Sequence, residues 1–423
     1  MRFTKRSLPL IIFFPVAISV SLTVPCVAAQ SAAPKEKVLF GFPASGDLGT
    51  SPNGVLISDA AGNFYGVNSN GAFGSGAVYE ISPTAEGSWT AKPIYVFPTN
   101  TYFPGSLVMD SSGNLFGAIY GGGTNTCSDG YGDYACGEVY ELSPNGAGGW
   151  SEKTIWNASQ TEGWRPWSLA VDAAGNLYGS TFWAGPGEGG TVFELQRTGE
   201  SWTHTVLHAF GQPGSEAGAA PNGALVFDKA GNLYGTTTQG GTNFGGTVFE
   251  LKKTKSGWEE ITLFQFDSSF PGASGGYFPY GVIFDSQGNL YGSTSYGGVD
   301  YVGGYGVAFE LTPTSSGAWQ ETVLHTFLNG GPGGYSPNPL VFDSAGNLYG
   351  TANSGGSGGH GTVFQLVQSS SGAWSEVVLH SFPSDFSDGR YPNGLLVDSK
   401  GNLYGTTNQG GSGGGGTVFE ITP

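Results

Sequence analysis

The sequence predicts an all-β fold, a seven-bladed β-propeller, and three observations carry that prediction. D-x-x-G-N recurs seven times, at Asp59, Asp110, Asp172, Asp228, Asp285, Asp343 and Asp398, each time followed by an aromatic residue and a glycine. The Gly-Asn steps run from Gly62 to Gly401 in six intervals that average 56.5 residues. Self-similarity at such a period marks a repeat architecture. Each unit also reads as four short strands. Finally, the chain opens on a strand-like segment with no unit of its own and stops at Pro423 after the third strand of its seventh unit.

Pro221–Leu251 shows the unit most plainly. Ala224–Phe227 is wholly apolar, which suits a short strand covered on both faces. Asp228-Lys229-Ala230-Gly231 turns the chain: Asp bonds nearby backbone N–H groups and Gly tolerates positive φ. Leu233–Thr237 is the second strand, and its Gly235 marks close packing or a bulge. A glycine-rich loop, 239–246, leads into a third strand, Thr247–Leu251. Trp258–Phe266, aromatic and β-branched, makes the fourth.

Lys35–Phe42, KEKVLFGF, matches Ser375–Phe382, SEVVLHSF, a fourth strand. The N-terminal segment therefore supplies the strand that the seventh unit lacks. Pairing the two ends closes a ring over residues 35–423 and removes the exposed sheet edge.

Residues 1–29 read as a secretory signal peptide, with Arg2, Lys5 and Arg6 before an apolar run broken by Pro15 and small residues at Val27-Ala28-Ala29. Residues 30–34 form a short linker. The alternative for the leader is a membrane anchor. Export predicts a secreted or periplasmic protein with no membrane span after cleavage. The whole chain carries a net charge of −17, and loss of three leader cations takes it to −20. Such a surface argues against nucleic acid as a partner. A monomer is expected.

Two positions recur inside every unit. A proline opens each first strand, from Pro52 to Pro392, and stiffens it. Each third strand ends in Glu80, Glu141, Glu194, Glu250, Glu310, Gln365 or Glu420. A position repeated around a ring is structural, and a backbone or interblade hydrogen bond is the expected role.

The run D-x-x-G-N-L-Y-G-T-T-x-x-G-G followed by G-T-V-F-E-L resembles the GloVer-type tandem repeat of exported bacterial proteins, over essentially the whole mature chain. Its D-x-x-G-N-L-Y core is also similar to NHL-type and two-component-regulator propeller blades. The resemblance supports a propeller and implies no activity. Proteins of that group often end in a surface-anchoring tail, which this sequence does not show.

In a propeller, the loop leading into each blade and the loop between its second and third strands share one face, where departures from the repeat point to function. The largest departure is 121–137, GGGTNTCSDGYGDYACG. Cys127 and Cys136 are expected to form a disulfide in an exported chain. Asp129 and Asp133 offer a weak Ca²⁺ signal without EF-hand spacing; no other cofactor and no metal site is indicated. His208, His325 and His380 take a fourth-strand position held elsewhere by aromatics, and packing is their expected role. His204 reads as a surface or interblade residue.

The candidate binding residues are Tyr120, Trp183, Phe244, Tyr301 and Tyr305, which do not repeat, with Arg165, Arg390 and His360. Aromatics stack on sugars or anchor peptides, and Arg pairs with carboxylates. The alternative is that they cover neighbouring loops. No nucleophile elbow, metalloprotease motif or P-loop occurs. The reading is a noncatalytic binding or surface-interaction propeller, for a glycan, peptide or surface protein. The alternative is an enzyme of polysaccharide lyase or lactone hydrolase type with its site at the channel mouth, and a third is a purely structural surface protein.

Overall fold

The computed structural model describes residues 33–70, 76–99, 101–146, 148–269, 275–298 and 304–423, and residues 34–423 form one compact unit. Its regular elements are β-strands, arranged as seven antiparallel blades and one small hairpin. Blades 1 to 6 span 50–96, 102–157, 164–209, 219–267, 277–328 and 335–381. Blade 7 takes 390–422 and, as its outermost strand, Lys35–Pro43. That strand runs antiparallel to Gly414–Thr422, with Lys35 opposite Thr422 and Pro43 opposite Gly414. The ring is closed by its own N-terminal strand.

The repeated residues explain the blade from inside. Gly235 of the second strand lies opposite Phe249 of the third, and a Cβ at Gly235 would sit 2.7 Å from the phenyl ring. The same close approach holds Gly66 to Tyr79 and Gly405 to Phe419. The glycine therefore makes room for a ring buried against the sheet. At the turn, Asp228 Oδ1 accepts the N–H groups of Ala230 and Asn232, both at 2.8 Å, and Oδ2 accepts the Asn232 side-chain amide at 2.8 Å. Asp59 and Asp398 make the same three bonds in their own blades.

Three of the third-strand carboxylates bond within their own blade, where a backbone or interblade bond was expected. Glu194, Glu310 and Glu420 accept the hydroxyls of Tyr178, Tyr291 and Tyr404 on the neighbouring second strand, at 2.8, 2.8 and 3.1 Å. Blade 2 has Phe116 opposite Glu141, so no tyrosine hydroxyl is offered from the neighbouring strand. Its carboxylate instead takes Arg197 of blade 3 at 3.3 Å. The residue opposite decides the partner.

The core lies between blades. Seven apolar clusters occupy the seven seams, each drawing buried Leu, Val, Phe or Tyr from two neighbouring blades. Burial of each such side chain contributes about 1.5–3 kcal/mol, so a blade gains stability chiefly from its neighbours. The opening prolines belong to these seams too. Pro166 packs on Gly137, Pro279 on Gly246 and Pro52 on Gly416, each glycine having no room for a Cβ. Inner strands line a central channel whose cavity, about 300 Å³, is walled by Val55, Ile57, Leu107, Val108, Leu169, Val226, Val282 and Ile283 with Trp167 and Tyr280.

Candidate binding site

The residue immediately before each opening proline adopts a left-handed conformation in all seven blades: Ser51, Phe103, Arg165, Ala220, Phe278, Ser336 and Tyr391, with φ between 53° and 61°. L-residues adopt this conformation at a cost and hold it only where their surroundings fix it. Here the backbone N–H bonds into the preceding blade. Arg165 donates to the Cys136 carbonyl at 2.7 Å, Ala220 to Gly189 at 2.7 Å and Tyr391 to His360 at 2.9 Å. The repeat thus fixes the backbone of this position and leaves its side chain free to differ from blade to blade. Side chains of five kinds, Ser, Phe, Arg, Ala and Tyr, stand at this position on the face that carries the lead-in loops.

Blades 2 and 3 hold the most developed part of that face. Thr126–Ser128 and Asp133–Ala135 pair as a hairpin, and Cys127 is disulfide-bonded to Cys136. Both cysteines are buried against Trp156 and Trp164. The hairpin leans onto blade 3: Asn125 donates to the Ala158 carbonyl at 2.9 Å, and the Ser128 N–H to Gln160 at 3.2 Å. The loop then forms one wall of an 820 Å³ cavity with Ser128, Asp129 and Tyr131. Gln160, Thr161, Trp164 and Arg165 supply the floor from the lead-in of blade 3, and Trp183–Pro186 with Glu188 the far wall. Asp129 spends one carboxylate oxygen on the N–H groups of Tyr131 and Gly132. Asp133 lies apart from this cavity and lines the adjoining one.

Arg165 borders both cavities. Its neighbour measures about 460 Å³ and is lined by Phe103, Tyr120, Gly121, Asp133, Tyr134 and Ala135. The guanidinium lies 4.4 Å from the Trp164 ring centroid, 5.0 Å from Tyr120 and 5.5 Å from Tyr134. No carboxylate among the described residues forms an ion pair with it. Stacking on three rings orients a planar donor while leaving its N–H groups available. Tyr131 is 98% exposed and Phe103 55%, so large apolar surface faces solvent beside this cation.

The sequence profile of the Gloeobacter/Verrucomicrobia repeat matches residues 125–327 and 300–423, more than half of the chain. The chain belongs to this repeat family. No curated relative matches it. Among solved structures it is similar to a protein of unknown function from Dyadobacter fermentans, at 13% identity, over 76% of this chain and 94% of that one, with a TM-score of 0.45. It is similar also to a gluconolactonase from Xanthomonas campestris, at 14% identity, over 76% and 86% of the two chains, with a TM-score of 0.42. At these identities the likeness concerns the fold alone.

Of the residues that depart from the Gloeobacter/Verrucomicrobia repeat, Tyr120, Arg165 and Trp183 come together around the two adjoining cavities. Arg390 and His360 come together elsewhere, on blades 6 and 7. Arg390 lies 4.3 Å from the Phe386 ring and donates to Gln409 at 2.6 Å, while His360 packs edge-on to Phe386 at 4.6 Å. Phe244 is exposed and apart from both groups. Tyr305 packs on Tyr335 at 4.9 Å and its hydroxyl accepts the Asn329 amide, so it covers a neighbouring loop. Tyr301 lies outside the described residues. Sequence reasoning missed Trp164, Tyr131, Tyr134 and Phe103. The available signal was the variable residue just before each opening proline, beside the one enlarged loop.

The channel differs in character. Its lining holds neither carboxylate nor histidine among the described residues. Tyr280 and Tyr291 are its titratable groups, and burial pushes both hydroxyls up, so they stay neutral.

Proposed function

We propose that this protein is a noncatalytic binding propeller, exported from the cell, that takes a carboxylate-bearing glycan on the blade 2–3 part of its lead-in face. The observation that carries this reading is Arg165, stacked on three aromatic rings without an ion-pair partner and bordering two adjoining cavities. Flat rings of Trp164, Trp183 and Tyr131 suit the apolar faces of sugars. Gln160, Asp129 and Glu188 offer hydrogen-bonding groups for hydroxyls. An unpaired guanidinium forks onto a carboxylate in two parallel bonds. The disulfide, and the lack of any helix among the described residues long and apolar enough to span a membrane, are compatible with a secreted or periplasmic location.

A lyase or lactonase working at the channel mouth would need ionisable groups converging there, and turnover of a bound glycan would distinguish it. The test is a glycan array carrying neutral and uronate-containing oligosaccharides, probed with the parent and with Arg165→Gln. Binding confined to uronate glycans and lost in the variant supports the proposal. Equal binding by both proteins, or cleavage of the bound glycan, contradicts it.

A further inference from the structure

The outer edge of a seam brings together three positions: one on the fourth strand of a blade, and two on the next blade, on its lead-in loop and its own fourth strand. At the seam between blades 7 and 1 the three are Phe40, Leu48 and Ala91, all packed against one apolar cluster. Between blades 2 and 3 they are Trp156, Glu162 and His204, with the imidazole stacked on the indole at 4.4 Å and its Nδ1 3.4 Å from Glu162. Between blades 5 and 6 His325 faces Glu376 at 3.7 Å, but the third position is Gly333, where any Cβ would collide with the Glu376 carboxylate.

Only between blades 6 and 7, among the described residues, are all three positions metal-ligating: His380, Asp388 and Glu36. One ligand atom from each lies within 4.8 Å of the others. His380 Nε2 is 2.9 Å from Asp388 Oδ2, yet the contact lacks hydrogen-bond geometry. His380 Nε2, Glu36 Oε1 and Asp388 Oδ1 are buried atoms that no hydrogen bond satisfies. A buried, unsatisfied polar atom on each of three clustered residues is costly unless something bridges them.

We propose that Glu36, His380 and Asp388 bind a first-row divalent metal ion of the zinc type, which staples the closing strand Lys35–Pro43 to blade 6. One imidazole nitrogen and two carboxylate oxygens match the donors zinc accepts, and water completes the coordination. Two of the ligands, Glu36 and Asp388, come from blade 7, on its closing strand and its lead-in loop, and His380 comes from blade 6. The ion ties the end of the ring to its neighbour. The competing arrangement of these atoms, a simple ion pair, leaves one carboxylate unmatched.

The test uses untagged exported protein stripped with a chelator, then titrated with Zn²⁺ against a chromophoric competitor and followed by thermal melting. One equivalent should bind and raise the melting temperature, and Co²⁺ should give visible absorption at the same stoichiometry. Asp388→Asn and His380→Gln should each weaken binding by about tenfold or more, while His325→Gln at the neighbouring seam leaves it unchanged. Should His380→Gln fail to fold, Asp388→Asn on the loop decides. Absence of binding at about 100 µM zinc, or binding that survives Asp388→Asn, overturns the proposal.

Discussion

Asn393 donates its side-chain amide to the main-chain carbonyl of Pro52 at 2.9 Å, joining residues 341 apart in sequence across the closing seam. The same amide also reaches Thr406 Oγ1 at 2.9 Å. Asn338 makes the equivalent bond to Pro392 at 2.8 Å and Asn53 to Pro104 at 3.2 Å. The ring is therefore closed twice, at the hub by this amide and at the rim by Lys35–Pro43. Asn393→Ala leaves the Pro52 carbonyl without its donor and should cost about 1–3 kcal/mol. Urea denaturation measures this, and an unchanged midpoint at constant slope would show that the hub bond adds nothing.

Removal of residues 35–43 acts at the rim. It leaves Gly414–Thr422 with an open edge and takes Leu39 and Phe42 from the seam between blades 7 and 1. The truncated protein should melt well below the parent and self-associate through the freed edge. A monomer with the parental melting curve would mean that the rim pairing does not close the ring.

Glu321 gives a pH signature. Burial pushes its carboxyl up to about 7, and no histidine holds the facing fourth-strand position, which is Phe264. The unfolded value is near 4.3, so the folded state prefers the neutral acid. The stability this contributes is fully present below about 4.3 and is lost as pH rises through about 7. Glu321→Gln cannot ionise. Its melting temperature relative to the parent should therefore climb between pH 5 and pH 8. A constant difference across that range would place an ordinary, solvated carboxylate at this seam. Glu376 is likewise pushed up to about 7 by burial, but His325 beside it is pushed down and opposes the trend, so Glu321 is the cleaner probe.

The disulfide separates stability from binding. The bond between Cys127 and Cys136 closes a short loop, so replacing both with serine should cost roughly 2–3 kcal/mol at most. The hairpin also carries the Ser128, Asp129 and Tyr131 wall of the larger cavity. The double variant should keep the fold and lose affinity for uronate glycan. Full affinity in that variant would reduce the hairpin to a staple.

Blade number, strand order and the closing strand were legible in the sequence, because each follows from residues that recur for a backbone reason. Gly235 must face Phe249, Asp228 must hold its turn, and Lys35–Phe42 has no other blade to join. The partners of side chains were less legible. Glu194 and Glu141 occupy one repeated position but bond differently, since Tyr178 stands opposite the first and Phe116 opposite the second. Contacts between blades were hidden most of all. Arg165 meets Tyr120 and Tyr134, and His380 meets Glu36, only because the ring sets one blade against the next. Nothing in local spacing records that.

The most direct test of the account is a fluorescence titration of the protein with a uronate oligosaccharide, since Trp164 and Trp183 both line the larger cavity. Binding should change the tryptophan emission saturably. Arg165→Gln and Trp183→Ala should each cost about 1–2 kcal/mol of affinity or more, while Asp228→Ala, at a turn on the opposite face, should lower stability and leave affinity intact. Undiminished binding in both Arg165→Gln and Trp183→Ala would contradict the account and move the ligand to another surface.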